Sequence, residues 1–521
     1  MGRRLLALTL GALMLCLFLS ALDSSIVANA LPRVIADLHG FELYAWVTTG
    51  YLLSSTAVVP IAGKLGDRYG RKPILIGGAS VFLAMTLLCG LAQDMPELIV
   101  LRTLQGVGGG VLTATVFAIM GELLTPVERA RLSGLITLVF STAGAFGPVV
   151  GGYLTDVLSW RAVFYVNLPF ALLALVVLWR FFPRVHHSGR RLPIDVGGAV
   201  TSVVGIVLLL LALTLGGREY AWTSPVVLTL IGVGVLVLGV FLWVETRAAD
   251  PILPLSLFRN NVVAISSTNS MAQSISLIVL ALFVPLYAQA VLGTTATVSG
   301  TIMVPMLVGM IASNLGSGML IAHIGRYKVF AVIGFALNAA AFVALSALGA
   351  HTPGVILGLC LAVVGVGAGL VFPTLTLSYQ SEVELHQLGV ATSLNQFSRS
   401  IGSTLGSALF GSILILQFLS GVRAGLPDAV AGWLDSPAGA GVRDPQSLLN
   451  TTATETLRTQ INQAFPDAPG TADLVLEAIR ASLGQALHWV FLLAAAVMLC
   501  GLVGSLLWRE APMRRQRESS A

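Results

Sequence analysis

Residues Leu5 to Leu31 form an apolar run of 27 residues broken by one charge, Asp23. A helix of that length crosses a bilayer with some tilt. Further continuous apolar runs of about 20 residues recur along the chain, the length a membrane-crossing helix needs. Backbone exposed to lipid must satisfy its own hydrogen bonds, so such runs fold as helices, whereas a barrel would alternate in character over about ten residues. Composition agrees. Of 521 residues, 56% are hydrophobic and 10% charged, with mean hydropathy +0.89, where a soluble domain carries roughly 25% charged residues. The expected fold class is an all-α polytopic membrane protein. The first run is too long for the core of a secretory leader and has no small-residue cleavage site before Asp23.

Fourteen spans are expected, at approximately 5–30, 46–62, 73–92, 98–120, 130–155, 162–182, 194–215, 225–246, 262–290, 297–321, 328–349, 354–378, 388–418 and 486–508. With the N-terminus in the cytoplasm, the inner segments hold 20 of the 29 Lys and Arg residues. That bias places both termini in the cytoplasm. Cys16, Cys89, Cys360 and Cys500 fall one each in different runs, without metal-ligand spacing, and read as small buried hydrophobes. No G-x-x-x-x-G-K-[ST] loop occurs, which disfavours ATP-driven transport within this chain. The net charge of +5 is explained by the inner loops and implies no nucleic-acid partner. No enzymatic activity, metal or cofactor is expected.

The chain repeats itself. Gly63-Lys-Leu-Gly-Asp-Arg-Tyr-Gly-Arg-Lys72 follows the second run, and Gly318-Met-Leu-Ile-Ala-His-Ile-Gly-Arg-Tyr-Lys328 follows the tenth. Gly70 matches Gly325 and Arg71 matches Arg326. Gly144 and Gly147 in the fifth run are echoed by Gly402 and Gly406 in the thirteenth. The simplest organisation is a six-span half at 1–192, two inserted spans at 193–254, and a second half at 255–521 with an outer loop at 419–485. Parallel repeats of this kind place a substrate site between halves near the midplane.

Individual residues then acquire meaning. An intramembrane carboxylate such as Asp23 is a functional-site hypothesis by default, able to take and release a proton; the plainer alternative is a carboxylate that only positions helices. Asp23 lies about 13 Å below the end of its span at Pro32, and Arg102 roughly 9 Å below its own, at 1.5 Å per residue. The two can share one layer. Arg102 either pairs with Asp23 or bonds helix carbonyls. Asp67, between Gly66 and Gly70 and beside Arg68 and Arg71, is not accounted for by the positive-inside rule; it can cap a helix N-terminus or pair with Arg71. Gly144, Gly147, Pro148, Gly151 and Gly152 suit a kinked helix in close contact with another. Arg399 is read as intramembrane, with no assigned role. In the outer loop, Ser447 to Phe465 and Thr471 to Leu483 have the apolar spacing of short amphipathic helices, a hairpin covering Leu448, Leu457, Ile461 and Phe465.

These residues carry a resemblance. The 63–72 loop resembles the signature loop of the major facilitator superfamily. Leu22-Asp23-Ser24-Ser25-Ile26-Val27-Ala28-Asn29-Ala30-Leu31-Pro32 is similar to the first-span motif of its fourteen-span drug:proton antiporters, the EmrB/QacA type. Arg102-Thr-Leu-Gln-Gly106 with Gly108 to Gly110 resembles the fourth-span motif. Gly144-Ala-Phe-Gly147-Pro148-Val-Val-Gly151-Gly152 resembles the fifth-span antiporter motif, and Trp160-Arg161 with Phe164, Asn167 and Pro169 also fits. The match runs in order along nearly the whole chain. It implies two six-helix bundles plus two inserted helices, working by alternating access. It further implies a proton-relay role for Arg102, a cytoplasmic latch at the 63–72 loop, and a dry seam at the glycines that blocks proton leak between the halves and marks exporters; Glu122, at the inner end of the fourth span, is placed to join that latch. This chain departs in having Ser25 where Thr is usual and Ala28-Asn29 where Asn-Val is usual. It also has no clearly embedded acid between 262 and 378, which leaves coupling to Asp23 and its partner.

The expected function is a proton-coupled exporter, an antiporter of hydrophobic or cationic small molecules such as drugs or antibiotics, driven by the proton gradient. Its partners are the substrate, protons and the lipid bilayer, and it is expected to act as a monomer in a bacterial inner membrane. The alternatives are a lipid or siderophore exporter and a proton-coupled uptake symporter.

Overall fold

The computed structural model describes residues 3–38, 43–124, 126–182, 195–216, 220–248, 251, 255–294, 296–349, 352–381, 388–426, 451–465 and 470–508. The helices in chain order are α1 Arg3–Leu38, α2 Tyr44–Tyr69, α3 Arg71–Cys89, α4 Met95–Leu123, α5 Pro126–Val157, α6 Ala162–Tyr165, α7 Leu168–Phe181, α8 Val196–Leu215, α9 Pro225–Glu245, α10 Asn261–Leu286, α11 Ala296–Ile324, α12 Lys328–Ser346, α13 Gly354–Ser381, α14 Leu388–Ala424, α15 Thr451–Ala464 and α16 Thr471–Leu507. No β-strand occurs among the described residues.

Starts are set by local chemistry. Asp94 accepts from the Glu97 amide at 2.7 Å, and the Glu97 carboxylate accepts from the Gln93 amide at 2.9 Å, with Pro96 in the first turn of α4. Asp195, Ser224 and Asn260 cap α8, α9 and α10 in the same way.

Twelve helical segments among the described residues are long and apolar enough to cross a membrane, α6 and α7 together making one of them. The chain is thus a multi-pass membrane protein. Fourteen spans were expected. The second and fifth places are occupied by α2 and α5, 26 and 32 residues long, which are not among the twelve. Thr48, Thr49, Ser54, Ser55 and Thr56 dilute the apolar character of α2.

Packing separates the helices into groups. In the first, α4 lies against α2 and α3, and α1 against α5 and α7. In the second, α11 lies against α13, α10 against α14, and α12 against α13 and α16. The groups meet where α5 packs on α11 and where α2 and α4 pack on α14. The inserted pair α8 and α9 pack on each other, and α8 also runs along α2 and α14. The other face of α9 exposes Leu228, Val235, Leu236 and Trp243, the apolar surface a bilayer covers.

The end of the chain differs from expectation. The last helix begins at Thr471 rather than 486, so the segment expected as a separate amphipathic helix, Thr471 to Leu483, continues into the last span. Val475, Ile479 and Leu483 are all buried on one stripe, so tertiary packing carries the helix through. α15 buries Leu457 and Ile461 against the same apolar cluster, with Phe465 packed on it. Leu448 lies outside the described residues.

A buried charge network and the candidate transport site

Asp23 is fully buried on α1, and Arg102, on α4, is 1% exposed. Arg102 Nη1 donates to Asp23 Oδ2 at 2.6 Å and to Gln105 Oε1 at 2.6 Å. Gln105 lies three residues beyond Arg102, on the same helix face. Its Nε2 donates to Asp23 Oδ1 at 3.0 Å and to Thr86 Oγ1 at 2.7 Å. Asn167, between α6 and α7, approaches Asp23 Oδ1 at 3.5 Å. The Arg102 guanidinium also stands 4.6 Å from the Tyr51 ring centroid and 6.0 Å from that of Phe164. Both oxygens of the carboxylate are therefore met by donors from outside α1. This is how a bilayer protein holds an ion pair without water, because unmatched buried charge is strongly destabilising.

The arrangement is incomplete in one respect. Arg102 Nε and Asn167 Oδ1 have no hydrogen-bond partner, so the network retains an unused donor and an unused acceptor beside the pair. Sequence spacing placed Asp23 and Arg102 in one layer, and the structure brings them into contact. The roles of Gln105, Thr86 and Tyr51 were not anticipated. Gln105 was findable from its three-residue offset to Arg102; Thr86 and Tyr51 offer no local signal.

The 63–72 loop forms a second network. Arg71, 2% exposed, pairs with Asp67, donates from Nε to Glu122 Oε1 at 2.8 Å and from Nη1 to the Gly63 carbonyl at 3.1 Å. Asp67 Oδ2 accepts from the Val390 amide at 3.1 Å, in the first turn of α14. Both expected uses of Asp67, helix cap and ion pair, are thus present together, and the cap crosses from the first helix group to the second. Gly70 turns the chain with φ 88°, a conformation side chains resist. Gly325 in the repeated loop has φ 74°. Burial pushes the Asp67 carboxyl up to about 6, Arg71 pulling the other way and Glu122 adding to the rise. Arg68 is different: its Nε and Nη1 have no hydrogen-bond partner and its guanidinium lies 5.4 Å from the Tyr69 ring centroid. The structure leaves it out of the latch bonds.

The glycine motif of α5 divides. A methyl at Gly147 would overlap Ser25, and one at Gly151 would press on Ile26, both on α1. Gly144 and Gly152 have open space beyond them, while the Gly144 carbonyl accepts from Ser25 Oγ at 3.4 Å. The close contacts of Gly147 and Gly151 therefore lie between α5 and α1, within the first group of helices. Positions 147 and 151, four apart, share the face turned to α1. Pro148 lies within α5; its side chain is outside what the structure describes.

Arg399 sits on α14, half-buried, with its guanidinium 4.0 Å from the Phe372 ring centroid on α13. α10 lines the neighbouring interior with polar side chains. Ser270 donates to Asn395 Oδ1 at 3.0 Å, Ser266 pairs with Ser378 at 2.8 Å, and Asn338 Nδ2 donates to Gln273 Oε1 at 3.2 Å.

Two groups of mainly apolar helices meeting along two seams, with a buried ion pair in one and polar residues lining the other, define a polytopic transporter. The Major Facilitator Superfamily profile matches residues 13–407, and the chain belongs to that family. It is 36% identical to the multidrug transporter protein MdtP of Bacillus subtilis over 97% of this chain and 93% of that one. It is 34% identical to multidrug resistance protein 3 of the same organism over 97% and 96%. Among solved structures, the human organic anion transporter MFSD10 superimposes with TM-score 0.61 at 14% identity, covering 94% of this chain and 99% of that one. The proton:xylose symporter XylE gives 0.58 at 14% identity, covering 97% and 99%. At such identity these two structures bear on the fold alone.

Proposed function

We propose that this chain is a proton-coupled antiporter that exports hydrophobic small molecules from the cytoplasm of a bacterium, crossing the inner membrane fourteen times with both termini inside. The relatives named as multidrug transporters support export of drug-like compounds. The observation that carries the coupling is the Asp23–Arg102 pair: a titratable carboxylate on α1, fully buried, held by Arg102 and Gln105 of α4 and approached by Asn167.

A proton arriving on Asp23 neutralises the carboxylate and releases Arg102, whose remaining acceptor is Gln105. The helices that supply these donors then no longer share one charge pair, and the first group of helices can rearrange against the second. On the cytoplasmic side the Asp67–Val390 contact holds the groups together, so the conformation seen here is closed inward. α4 carries both Arg102 of the pair and Glu122 of the latch and so connects proton binding to latch release, as alternating access requires.

The test is Asp23→Asn, which keeps the shape and removes the titration. Efflux of a fluorescent drug from cells lacking other pumps falls to the level seen with an uncoupler, while membrane expression is retained. Wild-type accumulation against a gradient by the Asn variant would remove Asp23 as proton carrier. Uncoupler-insensitive efflux by the wild type would remove proton coupling altogether.

A further inference from the structure

The second group of helices holds a cation that the coupling network does not use. Among the described residues Arg399 makes no ion pair and no hydrogen bond; its one recorded contact is the face of Phe372. The sequence gives it no carboxylate within the spans, because residues 261–424 contain acids only at Glu382 and Glu384, in the segment between α13 and α14. A second unpaired donor stands nearby. Gln273, 3% exposed on α10, uses its Oε1 for Asn338 but leaves Nε2 without a partner. Arg399 and Gln273, with Ser270, Phe372, Thr376 and Asn395, line one narrow cleft whose free volume is about 10 Å³, room for about one polar atom such as a water or a carboxylate oxygen. The Asn395 acceptor is already taken by Ser270.

The unmet groups lining the cleft are thus donors, the open acceptor nearby among the described residues being Oδ1 of Asn338, which is bonded through Nδ2 to Gln273. A guanidinium offers five N–H donors in a planar fork and accepts nothing, and the Gln273 amide adds another. A bare cation entering would meet like charge. A neutral molecule would leave the guanidinium uncompensated in a low-dielectric interior, which is costly. A carboxylate answers both donors with charge-assisted bonds.

We propose that this cleft binds the acidic group of the transported molecule, and that the substrates are hydrophobic organic acids seated on Arg399 and Gln273. Transport of such acids rests on the exporter reading above; the binding preference stands on the cleft alone.

The test uses the purified full-length chain in detergent and two probes of one shape, 2-naphthoate and neutral 2-naphthamide, titrated calorimetrically at pH 7. The wild type binds the acid about tenfold tighter than the amide, the size of one charge-assisted contact. Arg399→Gln abolishes that preference by weakening the acid and leaves the amide unchanged. Gln273→Leu weakens the acid less and keeps the order. If Arg399→Gln is not recovered as a monodisperse species, Arg399→Lys serves: it keeps the charge, loses the fork and shows an intermediate preference. Equal wild-type binding of both probes overturns the proposal, as does a preference that survives Arg399→Gln. Chloride binding that depends on Arg399, with no discrimination between the naphthalenes, also overturns it, because the cleft then serves an inorganic ion. Asp23→Asn keeps the binding preference. An acid preference with no effect of Asp23→Asn on efflux would sink only the coupling reading, and the reverse pattern would sink only this one.

Discussion

Arg102 and Arg399 are both guanidiniums inside helical bundles, but they are treated differently. Arg102 is bonded to Asp23 and Gln105 and flanked by the rings of Tyr51 and Phe164. Arg399 has one ring and a cleft. The first bundle completes its cation with a carboxylate from within the chain, whereas the second, among the described residues, gives its cation only a ring. The same contrast runs through the repeated loops. Both turn at a positive-φ glycine, Gly70 and Gly325. Only the first carries a carboxylate, Asp67, where the second has Ala322. Among the described residues, charge pairing is thus concentrated in the first half and an unpaired cation stands in the second, on loops that repeat.

The sharpest way to break this comparison is to remove each guanidinium. Arg102→Gln leaves the Asp23 carboxylate buried without its counter-charge, a change that costs about 3–5 kcal/mol when one partner of a buried pair is lost. Thermal unfolding of the detergent-solubilised protein at neutral pH should show a large loss. Arg399→Gln removes no ion pair; the cation–ring contact it loses, worth about 0.5–2 kcal/mol, is offset by relief of an uncompensated charge, so the net change should be small. Equal losses for the two variants would mean that Arg399 is as firmly held as Arg102, and the division of labour between the bundles would fall.

The next effect concerns the α1–α5 contact. Gly147→Ala places a methyl into Ser25 and should destabilise by about 1–3 kcal/mol through overpacking, while Gly144→Ala faces open space and should be close to neutral. Melting temperatures of the two variants compare these directly. Similar shifts would show that the four-residue spacing of the motif, rather than contact with α1, governs the helix.

Much of this was legible in the sequence for identifiable physical reasons. Continuous apolar runs announce helices, and a lone Asp in one of them announces a site, because both features are enforced by the bilayer. Depth arithmetic put Asp23 near Arg102, and the basic neighbours of Asp67 anticipated its bonds, although Asp67 lies in the last turn of α2 and not in a loop. What stayed hidden depended on helix rotation and on contacts distant in sequence. Nothing local says that Gly147 and Gly151 face α1 and not the other bundle, that Thr86 of α3 reaches Gln105, or that Gln273 keeps a free amide beside Arg399. The last helix was read fifteen residues short, since its start at Thr471 is amphipathic and becomes a helix by packing against the second bundle's apolar cluster.

The smallest expected effect belongs to the latch, and it separates the two repeated loops. Burial at the latch raises the Asp67 carboxyl to about 6, above its ordinary range near 3.9 when the loop is open to water. The latched conformer therefore holds a proton more readily than the unlatched one. Its stabilisation is fully present below the ordinary carboxylate range and is lost as pH rises through about 6. Spin labels on α2 and α14 near the loop should report more of the short, latched distance as the pH falls from 7 to 5. Asp67→Asn keeps an oxygen for the Val390 amide but cannot titrate, so the distance distribution should lose its pH dependence over this window. Asp67→Ala removes the cap as well and should favour the open arrangement at every pH. A pair of labels spanning the 318–328 loop should show no such dependence on Asp67, because Ala322 stands where the carboxylate would be. A pH response that persists in Asp67→Asn would assign the titration to another group and leave Asp67 as a cap for α14 alone.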